Sequence, residues 1–362
     1  MRKSLLFTTL ASVALVGCVN DENYSAVESS QLLRFDAPAM FNQTRNHIGE
    51  ITPSMNYPTS EHFTVFAIEH EGDFKGWNEN NVIKNGKQQD FFPAEGEIVT
   101  NGEGEHWHTS TDYYLPTEPN RMLSFAAYSP SRAKNDGTIT YGANGLVVED
   151  WRMPDQNPYD LMYSDRTINV KQAEVPITFR HSLSSIHFAF AKPELNGPYQ
   201  VLITKVAIKG TGTSIMNVGT FQDRTETFNT KGTPIWSNLK ATNVPSEYLL
   251  YQGDPFEVPT SNASEISGVR FFMPIPQNIT SDMKIVLSYT IKQKESDAGE
   301  LVENLEIPFT SFKFNETEHT SAWVINTRYY YNITFGALTK ILFHPSVAEW
   351  TTVQNAGTYV IK

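Results

Sequence analysis

The chain has 362 residues, with 28 Lys and Arg against 40 Asp and Glu, a formal net charge of −12. An acidic surface repels phosphate backbones and anionic lipid heads, so nucleic-acid binding and polybasic membrane docking are disfavoured. The single cysteine rules out a disulfide framework, so the fold must rest on its hydrophobic core.

The N-terminus reads as a lipoprotein signal peptide. Met1-Arg2-Lys3 is basic, residues 5–16 are apolar, and the run ends in Leu15-Val16-Gly17-Cys18. It falls short of the roughly 20 residues that span a membrane, and small residues sit where a peptidase cuts. Residues 1–17 are therefore expected to be removed, with Cys18 acylated as the new N-terminus and anchored in outer-membrane lipid. Residues 18–30, rich in Ser, Glu and Asn, form a flexible tether. Within it Asp21-Glu22 reads either as a surface-export signal or as plain solvated chain.

Beyond the tether, apolar residues recur with period two. Candidate strands are 63–68, 123–128, 175–179, 185–190, 201–208, 269–273, 284–291, 329–335 and 341–343. Ile285, Leu287, Tyr289 and Ile291 share one face, as do Tyr329, Tyr331, Ile333 and Phe335. Turn formers separate them at Asn135-Asp136-Gly137, Asn144-Gly145, Asn196-Gly197-Pro198, Lys231-Gly232-Thr233-Pro234 and Gly253-Asp254-Pro255. Short strands with frequent turns predict an all-β protein of packed sheets. The mature length exceeds what one core usually serves, so two domains are expected, 31–192 and 193–362, joined at Lys192-Pro193-Glu194-Leu195-Asn196-Gly197-Pro198.

Chemistry is sparse. His106-Trp107-His108 places two imidazoles on one strand face, but a zinc site needs three or four ligands, so no metal is expected. Nucleophile elbows, phosphate loops, dinucleotide fingerprints and zinc-protease motifs do not occur, so neither an enzyme nor a cofactor is predicted. The aromatics Trp107, Tyr113, Tyr114, Trp151, Tyr159 and Tyr163 sit in loop-like surroundings. They either stack on sugar rings, with Trp107 and Trp151 as the ligand candidates, or close the edges of small cores.

Several blocks in order resemble the fimbrillin-like proteins of type V pili. They are the lipobox at Cys18, Phe63-Thr64-Val65-Phe66-Ala67-Ile68, Met122-Leu123-Ser124-Phe125-Ala126-Ala127-Tyr128-Ser129-Pro130, and Tyr159-Asp160-Leu161-Met162-Tyr163. Val175 to Ile186, Phe272-Met273-Pro274-Ile275-Pro276-Gln277, Tyr329 to Phe335, and Ile341 to Trp350 complete the series. The resemblance implies two transthyretin-like β-sandwich domains in tandem, forming a structural or adhesive subunit of a surface pilus.

In that family an arginine-specific protease removes the first strand and a partner's terminal strand replaces it. The matching segment here is Gln31 to Asp36, with Leu32, Leu33 and Phe35 as the removable strand. Arg45 is the processing candidate, with Arg34 as the alternative, and Thr358-Tyr359-Val360-Ile361 is the donor candidate. The implied partners are other pilus subunits, and the location is the outer membrane surface, then the fimbrium after processing. The rival reading is a monomeric surface lipoprotein adhesin that binds glycan or host protein.

Overall fold

A computed structural model describes residues 31–36, 57–73, 91–102, 106–142, 144–155, 158–192, 199–223, 233–260, 263–293, 298–313 and 320–336, and the backbone of 341–349. Cys18, Arg45 and the segment Thr358 to Ile361 lie outside these residues. The described protein is built from strands, with two short 3-10 turns as its helical segments. Among the described residues, no helix is long and apolar enough to cross a membrane.

The first half builds one sheet around one core. Strands β1 (Arg34–Asp36), β2 (Phe63–Glu71), β3 (Glu97–Gly102), β4 (His106–Thr109) and β5 (Arg121–Ser129) belong to it. The hairpin β6 (Thr138–Gly142) and β7 (Gly145–Arg152) leaves this sheet. Its tight turn needs Gly145, at φ +80°. The chain returns with β8 (Met162–Ser164), β9 (Thr167–Val170), β10 (Glu174–Pro176) and β11 (Phe179–His181). The order is β10-β1-β4-β3-β2-β5-β8-β11, with β9 also on β5. Only Ile177 and Thr178 separate the two terminal strands in the chain, so the sheet curls back on itself. It encloses a cluster that includes Leu33, Phe35, Phe63, Val65, Phe92, Phe125, Met162, Val175 and Phe179.

The second half begins with β12 (Ser184–Ala191), β13 (Tyr199–Lys209), β14 (Val218–Gln222), β15 (Ile235–Lys240), β16 (Tyr248–Glu257) and β17 (Ser264–Glu265). There follow β18 (Gln277–Asn278), β19 (Lys284–Gln293), β20 (Gly299–Pro308), β21 (Ala322–Trp323), β22 (Thr327–Phe335) and β23 (Ile341–Glu349). They form sheets ordered β17-β12-β22-β23, β16-β13-β19-β20 and β15-β14-β7-β6, plus the pair β18-β21. Ile285, Leu287 and Tyr289 are buried in one cluster with Tyr329, Tyr331, Ile333 and Phe335, with Ile291 partly buried against it, while Val286 and Ser288 on the other face of β19 are buried as well. Burying one face of each strand supplies the driving force, at about 25 cal/mol per Å² of apolar surface.

Sheet membership does not follow the division expected at residue 192. Strand β12, assigned by sequence to the first unit, runs parallel to β22 over eight paired positions from Ser184 to Ala191. The hairpin strand β7 likewise pairs with β14. Core membership changes between Phe179, in the first cluster, and Leu183, in the second. The stretch 193–198 lies outside the described residues, and the burial that defines a unit is set by pairings no local composition reveals.

Candidate functional site: the seat of the first strand

The N-terminal segment occupies a seat between two strands far from it in sequence. Strand β1 runs parallel to β10, pairing Arg34, Phe35 and Asp36 with Glu174, Val175 and Pro176. On its other side Phe35 faces Trp107 of antiparallel β4. Just upstream, Leu32 bridges to Tyr114. The Leu33 amide donates to the Tyr113 carbonyl at 2.8 Å, the Arg34 amide to the Ala173 carbonyl at 2.8 Å, and the Leu115 amide to the Gln31 carbonyl at 3.0 Å. Backbone bonds thus hold the segment on both flanks, and among the described strands β10 pairs in the sheet with β1 alone.

The alternation of Leu33 and Phe35 turns both side chains inward, leaving them 2% and 1% exposed. Phe35 meets Phe63, Phe92 and Phe125 in edge-on contacts at 6.4, 6.5 and 5.8 Å between centroids. Edge-to-face pairs of this kind add about 0.5–1.5 kcal/mol each beyond the buried area. Beside them Tyr57 stacks on Phe179 at 5.5 Å and shares a 2.6 Å hydrogen bond with Ser129. Burial pushes the Tyr57 phenol well above its ordinary range. Sequence reading missed Tyr57 and Phe92, since each lies outside any alternating run. Their only local signal is being large aromatics that each precede a proline, Pro58 and Pro93.

Arg34, the alternative processing residue, lies inside β1 with its neighbours paired to β10. A protease needs an extended, unpaired backbone, so this position is protected while the strand is seated.

The ligand expectation for Trp107 and Trp151 is corrected. Neither lies in a loop. Trp107 is in β4, 8% exposed, against Tyr57 at 5.0 Å and Phe63 at 5.6 Å. Trp151 is in β7 and fully buried, and its Nε1 donates to the Tyr159 hydroxyl at 3.1 Å, which donates to Asp136 at 2.6 Å. Each ring buries its large apolar face in a core, which leaves none for a sugar. Tyr159 and Tyr163 are also buried, and Tyr114 is 44% exposed. Along β4 the alternation that turns Trp107 inward leaves His108 exposed. Among the described residues no three His, Cys, Asp or Glu side chains gather as metal ligands would.

Two buried polar assemblies lie apart from β1. Asp160 and His181, fully enclosed, are joined by a 2.5 Å contact between Oδ2 and Nδ1. On β12, the Ser185 hydroxyl lies 2.8 Å from His187 Nε2, and His187 Nδ1 lies 2.7 Å from Glu265. The latter has the connectivity of a serine–histidine–acid relay, but Ser185 is wholly buried and Phe271 is stacked on the imidazole at 5.4 Å. It ties β17 to β12.

Residues 55–350 match the model of the fimbrillin-like family, and the chain belongs to that family. Its fold is similar to that of a fimbrial protein from Bacteroides vulgatus, with a TM-score of 0.60 at 17% identity, covering 89% of this chain and 100% of that one. A cell-adhesion candidate from Bacteroides uniformis is similar at a TM-score of 0.50 and 15% identity, covering 89% of this chain and 99% of the other. No curated protein matches significantly.

Proposed function

We propose that this protein is a structural or adhesive subunit of a surface pilus, exported as a lipoprotein through acylation of Cys18. Assembly proceeds by strand exchange after cleavage at Arg45. Membership of the fimbrillin-like family supports the general reading. The observation that carries the exchange step is the seat itself, in which one short segment joins β10 to β4 and fills the core with Leu33 and Phe35. Withdrawing it exposes two strand edges and an apolar slot, the features that another chain's strand satisfies by β-augmentation. The donor is Thr358 to Ile361, whose Tyr359 and Ile361 repeat the two-residue spacing of Leu33 and Phe35. The chain comprises two β-sandwich units, and the change of core between Phe179 and Leu183 supports a junction there. Its partners are other pilus subunits, and its location is the outer membrane surface, then the fimbrium.

N-terminal sequencing of material sheared from the cell surface, together with electron microscopy of the same material, tests this reading. Polymers whose subunits begin at Asn46 are expected, and Arg45→Ala should leave Cys18 attached and abolish them. Monomers retaining residues 31–36 on every molecule would overturn it.

A further inference from the structure

Sheet edges are open hydrogen-bonding templates, and proteins guard them with charge, proline, bulges or left-handed residues. Most edges here are guarded in this way. Strand β15 carries Lys240, a left-handed Asn238 and a register shift against β14. Strand β16 holds Asp254, Pro255 and Glu257. Strand β20 holds Glu300, Glu303 and Glu306 with a left-handed Asn304. Strand β23 has Pro345 at its centre, and β9 has a left-handed Asn169. Among the described edge strands of four or more residues, β6 is the exception. Its sequence, Thr138-Ile139-Thr140-Tyr141-Gly142, has no charge and no proline, and pairs with β7 without a register shift.

The side chains of β6 show what the edge lacks. Thr138 and Thr140 are exposed, while Ile139 and Tyr141 turn toward the core and pack against it. Both are partly buried, Tyr141 against Phe66 of β2 with ring centroids 5.7 Å apart, and among the described residues no strand pairs with the outer side of β6. A strand added there fits best if it is neutral and presents an apolar pair at the same two-residue spacing. A second β6 meets both conditions. Antiparallel pairing about a two-fold axis through Thr140 sets Ile139 against the copy's Tyr141 and Thr140 against itself. Aromatic–aliphatic and Thr–Thr pairs of this kind each contribute roughly 0.2–1 kcal/mol. In a chain of net charge −12, an uncharged strip is also where two copies meet with least repulsion.

We propose that β6 is a self-association edge, through which two copies of this chain join their β15-β14-β7-β6 sheets into one continuous sheet of eight strands. The contact is isologous, and it is separate from the seat of β1.

Sedimentation equilibrium on the intact chain, with its N-terminus verified by mass, tests this. A reversible, concentration-dependent dimer is expected. Thr140→Lys and Thr140→Glu each place like charges face to face on the axis and should weaken it about tenfold or more. An equimolar mixture of the two variants should restore it, because residue 140 then meets its opposite charge. Thr140 is exposed, so an unchanged melting temperature of each variant serves as the folding control. A strictly monomeric chain up to about 1 mM, or a dimer indifferent to both charges, would overturn the proposal.

Discussion

The Phe35 ring stands edge-on to Phe125, centroids 5.8 Å apart and planes at 82°, so a residue of the N-terminal segment is part of the core of a sheet built far downstream. Phe35→Ala is expected to destabilise the intact chain by about 3–5 kcal/mol, the usual cost of emptying a buried phenylalanine site. Phe35→Leu should cost clearly less. Urea unfolding read by tryptophan fluorescence measures both. Equal losses would mean that the ring is not held as described.

Asp160 and His181 meet where the chain passes from the first core to the second, and both side chains are cut off from water. Removing one member of a buried pair strands the other. Asp160→Ala should cost about 3–5 kcal/mol, and His181→Ala alone a similar amount. The double variant should cost less than the sum. Strict additivity in the denaturation free energies would refute the coupling.

Stability should also depend on pH through Asp223. Burial pushes its carboxyl up from 3.8 to about 7, against the opposing pull of Arg166 and the Leu146 amide. The folded state therefore favours the protonated form, so its contribution is full below about pH 4 and is lost as pH rises through about 7. Asp223→Asn should remove that decline, seen as a variant-minus-parent difference in urea midpoints that is small at about pH 4 and grows in the variant's favour up to about pH 8. His70 works in the opposite sense. Burial lowers its pKa, and the neutral ring bonds the Gly72 carbonyl and Ser124. Its contribution is present above 6.5 and fades as pH falls.

Trp151→Phe keeps most of the ring volume but removes the Nε1 donor to Tyr159. The expected cost is about 1–3 kcal/mol, typical of a buried polar atom deprived of its partner. Thermal melting checks this, and any cost below a few tenths of a kcal/mol would argue against the Trp151–Tyr159–Asp136 chain.

Period-two alternation in segments such as Lys284 to Ile291 and Tyr329 to Phe335 made the strands legible, because burying one face imposes that pattern. The segment from Leu32 to Phe35 was legible only through resemblance, since three residues of β1 carry too little periodicity to stand out. Pairing was not legible. Nothing local to Phe35 points to Val175, nor anything near Ser184 to Thr327, since register between distant strands depends on the whole sheet. The tryptophans misled because Trp107 and Trp151 are flanked by polar residues, His106 and His108 in one case and Asp150 and Arg152 in the other. Alternation turns His108, Asp150 and Arg152 away from the core that holds the adjoining ring.

The two neighbours of β1, His106–Thr109 and Glu174–Pro176, are synthesised long after Leu33 and Phe35. A segment made early is thus among the last of its sheet to dock, because its place between β4 and β10 does not exist until both have been made. The order of synthesis therefore leaves Leu33 and Phe35 without their partner strands until the sheet is nearly complete.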